Sequence, residues 1–169
     1  MRRITRWLAA SILLTTFSAL AQGPAEQPVT VFLVRHAEKE ATGADPSLTE
    51  AGRKRADTWA AMLADAGITA IFSSEYKRTQ ETAAAVGKRL GVTVTTVPAK
   101  DLDALVSKIR ELAPGSRALV VGHSNTVPAA AAKLTGAKAA EMAETDFDRL
   151  YVATVKGGSG DVVVLHAAP

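Results

Sequence analysis

The stretch Val29-Thr30-Val31-Phe32-Leu33-Val34-Arg35-His36-Ala37-Glu38 decides how the rest of the chain is read. Its first six residues are almost all β-formers, so they read as a buried strand, and the polar cluster follows at that strand's carboxyl end. The pattern returns once, where Ala118-Leu119-Val120-Val121 runs into Gly122-His123-Ser124-Asn125. The chain has three histidines, and two of them stand directly after these runs. Open α/β sheets place their active sites in the crevice outside the carboxyl ends of the strands.

Between and beyond the two runs, β-rich segments alternate with helical patterns. Ser47-Leu48-Thr49-Glu50 matches a capping box and opens a helix expected to reach about Ala66, with Gly67 as its stop. A strand over 68–72 leads into a helix from Glu75 to about Leu90, with Tyr76, Thr79, Ala83, Val86 and Leu90 on one face. A strand over 92–97 and a helix over 102–112 follow. Pro128 suits the first turn of the next helix. The segments 150–155 and 162–165 read as a closing hairpin. The expected fold class is α/β: a single three-layer α/β/α domain with a mainly parallel sheet and a C-terminal hairpin.

The first residues read as a targeting segment. Arg2, Arg3 and Arg6 precede a mostly apolar stretch, Trp7 to Leu20, and Ala19-Leu20-Ala21 has the small-x-small form of a cleavage site. The expected organisation is therefore a signal peptide over 1–21, a flexible lead-in over 22–28 and the domain over 29–169. A retained N-terminal anchor is the competing reading, although Ser11, Thr15, Thr16 and Ser18 interrupt a stretch already short for a span. No cysteine follows it, so a lipoprotein anchor is excluded.

Loss of the leader takes three of the 20 basic side chains, leaving 17 against 17 acidic ones. Such a formally neutral domain gives no electrostatic case for nucleic acid, or for stable membrane association after leader removal. Cysteine is absent, which excludes every cysteine-nucleophile mechanism and suits an exported domain large enough to bury one core without disulfides. The expected location is outside the cytoplasm, in the periplasm if the leader is bacterial.

Arg35-His36, Arg78 and His123 are the residues that carry chemistry. Neutral imidazole is a good nucleophile toward phosphorus, and a guanidinium holds phosphate oxygens in bidentate fashion. Arg78 stands near a helix N-terminus, which itself attracts anions. His123, protonated beside a phosphate, would stabilise transition-state charge. Gly122 would let the backbone approach a ligand. The competing structural readings are a strand-end His36 paired with Glu38, and a solvated Arg78 beside Glu75 or Glu81.

Val34-Arg35-His36-Ala37-Glu38, Leu48-Thr49-Glu50-x-Gly52, Ser73-Ser74-x-x-x-Arg78-Thr79-x-Glu81-Thr82 and Val121-Gly122-His123-Ser124-Asn125 occur in order. Together they resemble the histidine phosphatase superfamily, which includes the cofactor-dependent phosphoglycerate mutases. The resemblance spans Val29 to about Val155 and implies a phosphoglycerate mutase-like fold. It implies phosphatase chemistry through a phosphohistidine on His36, with Arg35, Arg78 and His123 holding the equatorial oxygens. Ser124 and Asn125 join Arg35, Arg78 and His123 as substrate-binding candidates. It implies no cofactor and no metal, since the cations do the electrostatic work. The substrate would be a phosphorylated small molecule or a phosphoprotein.

Two departures stand out. Ala37 replaces the usual glycine after the first histidine, as in compact members of the superfamily. The loop that carries a glutamate general acid in mutases is missing, because the helix after Arg78 runs almost directly into Gly91-Val92. Glu38, Glu81 and Asp101 are the candidate substitutes. A weak acid favours good leaving groups, such as phosphoramidates, phosphoanhydrides or acidic phosphomonoesters. In this respect the chain resembles compact phosphohistidine phosphatases.

Two other functions compete. Gly122-His123-Ser124-Asn125-Thr126 begins like the nucleophile elbow of serine α/β-hydrolases, with Asp146 or Asp161 and then His166 in the required chain order, yet Thr126 stands where the elbow needs glycine. A catalytically idle phospholigand-binding module would keep all four core residues. Asp146-Phe147-Asp148-Arg149-Leu150 resembles the acidic-aromatic segment before the superfamily's last strand and reads as structural.

Overall fold

The computed structural model describes residues 27–167, so the expected signal peptide and most of the lead-in lie outside the described residues. The elements are β1 (Val29–Arg35), α1 (Glu50–Met62), β2 (Ala70–Ser73), α2 (Lys77–Leu90) and β3 (Val94–Thr96). They continue with α3 (Leu102–Arg110), β4 (Arg117–Gly122), α4 (Thr126–Thr135), β5 (Arg149–Lys156) and β6 (Ser159–His166). One six-stranded sheet has the order β3-β2-β4-β1-β5-β6. β1, β2, β3 and β4 run parallel, while β5 pairs antiparallel with β1 and β6. The mainly parallel sheet and the closing hairpin are both present.

Alternation along the strands builds two cores. Val31, Leu33, Ala118 and Val120 face one way, toward α3 and α4, with Val106, Ile109, Leu134 and Tyr151. Val34, Leu119, Val121 and Ile71 face the other way, toward Trp59 of α1 and Ala83 and Val86 of α2. Burying each large side chain contributes about 1.5–3 kcal/mol, so both sheet faces need their helices.

The helix boundaries correct the sequence reading at three points. The N-cap of α1 is Thr49, whose hydroxyl accepts from the Gly52 amide at 3.0 Å, and Ser47 forms no capping box. Leu48 stays extended because it pairs with Lys39 and gives its amide to the Glu81 carboxylate at 2.8 Å, so no helix can begin before it. Glu50 instead pairs along the helix with Lys54. α1 also ends at Met62, and a turn covers the residues up to Gly67. α2 begins at Lys77, two residues late, because Glu75 is drawn away to accept from the Ala99 amide at 2.8 Å.

Gly52 explains the Leu-Thr-Glu-x-Gly spacing. A Cβ there would lie 2.0 Å from the Glu38 carbonyl oxygen, which also accepts from the Thr49 amide at 2.9 Å. The start of α1 thus lies directly on the segment that leaves β1 and holds it in place.

Candidate active site

Register brings the two histidines together. Arg35 pairs with Gly122 across β1 and β4, and the His36 amide donates to the Gly122 carbonyl at 2.9 Å. The strands end level, so His36 and His123 enter one crevice with ring centroids 5.4 Å apart and planes at 66°. β2 ends beside them, since Ser73 pairs with Val121. Gly122 serves packing here: a Cβ would meet the Thr126 hydroxyl at 2.8 Å, and that hydroxyl accepts from the His123 amide at 2.9 Å.

His36 is 3% exposed, and its Nδ1–H donates to the Ala37 carbonyl at 2.7 Å. That bond fixes the tautomer and leaves the lone pair on Nε2. Burial, with Arg35 nearby, pushes its pKa down to about 4. The imidazole is therefore neutral and nucleophilic at pH 7. The pairing with Glu38 does not form, because Arg55 takes that carboxylate at 2.8 Å.

His123 Nε2 bonds the Ser74 hydroxyl at 3.0 Å, and Ser74 in turn bonds Thr79 at 2.7 Å. Burial first and Arg78 second push its pKa down to about 4. His123 is thus neutral at pH 7, and an arriving anion would have to draw a proton onto it.

Arg78 lies over the Tyr76 ring, with Cζ 4.5 Å from the centroid, and contacts Asp45 at 3.7 Å rather than Glu75 or Glu81. Asp45 also accepts from the Lys77 amide, so the N-terminus of α2 already holds a carboxylate. Arg35 lies over Phe147, with Cζ 4.2 Å from the centroid, and so places the acidic-aromatic segment at the site. Its Nη1 donates to the carbonyls of Ala143, Glu144 and Asp146, at 3.3, 2.5 and 3.5 Å. The Nε–H groups of Arg35 and Arg78 are buried without a hydrogen-bond partner among the described residues. A buried, unpaired guanidinium N–H is costly, and an anion oxygen would satisfy it.

Arg35, His36, Arg78 and His123 line one open cleft of about 590 Å³, with Ser124, Asn125 and Thr126 from the start of α4 on its wall. Lys39, Tyr76, Lys100 and Glu144 line it as well, and sequence reasoning assigned none of them to the site. Tyr76 was legible only as part of an apolar stripe, and Glu144 lies in an irregular loop between α4 and β5 with no periodicity to mark it. Glu38, Glu81 and Asp101 are not brought to the cleft. Glu38 holds Arg55, Glu81 holds the Leu48 amide, and Asp101 caps α3 by accepting from Ala104 at 2.8 Å.

The serine-hydrolase arrangement does not assemble. The Ser124 hydroxyl donates to the Glu144 carboxylate, Asp146 holds Arg149, and His166 pairs with Asp148 at the far hairpin.

A mainly parallel sheet with Arg35, His36 and His123 at its carboxyl end and Arg78 beside them on α2 has the phosphoglycerate mutase-like architecture expected from the motifs. The model of the histidine phosphatase superfamily (branch 1) matches residues 31–101, the segment holding the first three motifs. The protein histidine phosphatase SixA, solved as a tungstate complex, has the same fold with a TM-score of 0.69 and 19% identity. That match covers 81% of this chain and 96% of SixA. A mycobacterial glucosyl-3-phosphoglycerate phosphatase gives a TM-score of 0.61 at 16% identity, covering 84% of this chain and all of that one. No curated protein matches in sequence. The family-model match over residues 31–101 supports the resemblance to the histidine phosphatase superfamily, and the chain has the fold of the compact, SixA-like phosphatases. The partial match to this model supports phosphatase activity.

Proposed function

We propose that the protein is an exported, metal-independent phosphatase that hydrolyses phosphomonoesters or phosphoramidates through a phosphohistidine on His36. The observation that carries this reading is the pair of buried arginine Nε–H groups, unpaired beside a neutral His36 that holds its lone pair on Nε2. The SixA structure was solved with tungstate, a tetrahedral oxyanion shaped like phosphate, which favours the same use of this fold.

In the proposed reaction, His36 Nε2 attacks phosphorus in line. The bond from phosphorus to the leaving group breaks, and its electron pair departs with that group, which takes up a proton. Water then attacks the phosphohistidine, releasing inorganic phosphate and restoring the imidazole. The Nδ1–H bond to Ala37 persists throughout and spreads the charge of the phosphorylated ring. Arg35, Arg78 and His123 hold the equatorial oxygens, with Ser124 and Asn125 completing the binding wall.

The carboxylate on the cleft wall, Glu144, is a poor acid. The hydrogen bond from Ser124, and then the Arg35 charge, hold it below the usual carboxylate range. Substrates with good leaving groups, phosphoramidates foremost, therefore suit the site.

Export rests on the basic and apolar leader ending at Ala21. It is tested by N-terminal sequencing of the protein recovered from a bacterial periplasm. The phosphatase reading is tested by phosphate release from a panel of phosphomonoesters, acyl phosphates and phosphoramidates, with His36→Ala in parallel. Release that vanishes in the variant supports the reading. Phosphate binding without release across the panel would favour a phospholigand-binding module.

A further inference from the structure

The carboxylate of Glu144 sits on two of the groups that the proposed reaction gives to the phosphoryl group, Arg35 and Ser124. One oxygen accepts from Arg35 Nη2 at 2.8 Å, and the other accepts from the Ser124 hydroxyl. We propose that Glu144 is a resident anion that occupies the phosphate seat and exchanges with the substrate's phosphoryl group, so that it sets substrate affinity. This rests on the phosphatase reading and adds a residue that the superfamily motifs do not contain.

Three features of Arg35 and the loop make the exchange possible. Nη1 is committed to the carbonyls of Ala143, Glu144 and Asp146, which fixes the loop backbone from inside the protein. The turn closes on itself as well, since the Asp146 carboxylate accepts from the Ala143 amide at 2.9 Å. Nε and Nη2 form the other edge of the guanidinium, and Glu144 uses only Nη2, leaving Nε–H buried and unpaired. A tetrahedral phosphate has enough oxygens to accept from both nitrogens of that edge and from Ser124 at once. It therefore satisfies a donor that Glu144 does not.

Leaving the seat is also easy for Glu144. Its side chain is 80% exposed, against 4% for Arg35, so it rotates into water without opening a cavity or moving the loop. The cost to the substrate is occupancy: a seat filled by Glu144 for 90–99% of the time weakens apparent affinity about 10- to 100-fold.

The test is titration calorimetry with inorganic phosphate on the wild-type protein, Glu144→Gln and Glu144→Asp, together with KM and kcat on one substrate. Glutamine keeps the shape and loses the charge, while aspartate is too short to reach both Arg35 Nη2 and Ser124. The expected result is phosphate binding at least about 10-fold tighter in both variants, with KM lowered and kcat little changed. A residue that only supported the loop would give weaker binding when altered, together with a lower melting temperature. Unchanged or weaker phosphate binding in both variants overturns the proposal. If that result appears while His36→Ala is inactive, the phosphatase reading stands and this inference alone fails. Absence of phosphate binding in every protein overturns both.

Discussion

The amide of Ala37 donates to the Thr82 hydroxyl at 3.0 Å, and Thr82 donates to the Arg78 carbonyl at 2.7 Å. Ala37 is fully buried, and its own carbonyl receives the Nδ1–H of His36. One chain of hydrogen bonds thus runs from the imidazole past β1's end into α2, tying the proposed nucleophile to Arg78, the proposed phosphate-holding arginine.

Thr82→Val breaks that chain while keeping the shape of the side chain. It leaves the Ala37 amide buried and unpaired, at a cost of about 1–3 kcal/mol. The expected result is a matching loss in denaturant unfolding and a lower kcat, because the nucleophile loses its alignment. Unchanged stability and unchanged kcat would show that the chain has no part in positioning His36.

Acid should destabilise the protein through the two histidines. Their folded pKa values lie near 4, below the ordinary 6.5, so below 6.5 the unfolded chain takes up protons first. The stabilising contribution is therefore complete above about pH 6.5 and is lost as pH falls from there toward 4. For His36 alone this is about 2 kcal/mol between pH 7 and pH 5. His36→Asn should show a flatter dependence of unfolding free energy on pH over that range. An equally steep curve in the variant would place the acid sensitivity elsewhere.

Gly52→Ala should be among the more damaging small substitutions outside the site. Its Cβ would press on the Glu38 carbonyl, and overpacking of this kind costs about 1–3 kcal/mol. A melting temperature several degrees lower is expected. An unshifted one would mean that α1 can slide off the segment following β1.

Ser124→Ala and chelation separate the phosphohistidine route from its rivals. The hydroxyl is one contact among several, so the alanine variant should keep activity within about tenfold of wild type. Excess EDTA should leave the rate unchanged, since arginine and histidine supply the charge. Complete loss in Ser124→Ala, or loss on chelation restored by zinc or magnesium, would contradict the assignment of roles.

The strands and the two strand-end histidines were legible because a buried parallel strand needs an unbroken β-forming run, and β1 and β4 have one each, whereas the order of the strands in the sheet was not. The start of α1 was misread because Ser47 satisfies the local capping pattern, while a tertiary bond from Leu48 to Glu81 on α2 holds that residue extended. The candidate acids were misplaced for a similar reason. Glu38, Glu81 and Asp101 are near the motifs in sequence, but each is spent on a structural partner that only the fold reveals. Glu144 escaped notice because an irregular loop brings it to Arg35 from 109 residues away.

The most direct test of the central claim is to trap the phosphorylated enzyme during turnover and locate the phosphoryl group. A phosphohistidine is stable to alkali and labile to acid, whereas a phosphoserine behaves in the opposite way. The account predicts an alkali-stable, acid-labile label on the peptide that contains His36, absent from His36→Ala. An alkali-labile label on the peptide containing Ser124, or full turnover in His36→Ala, would contradict it.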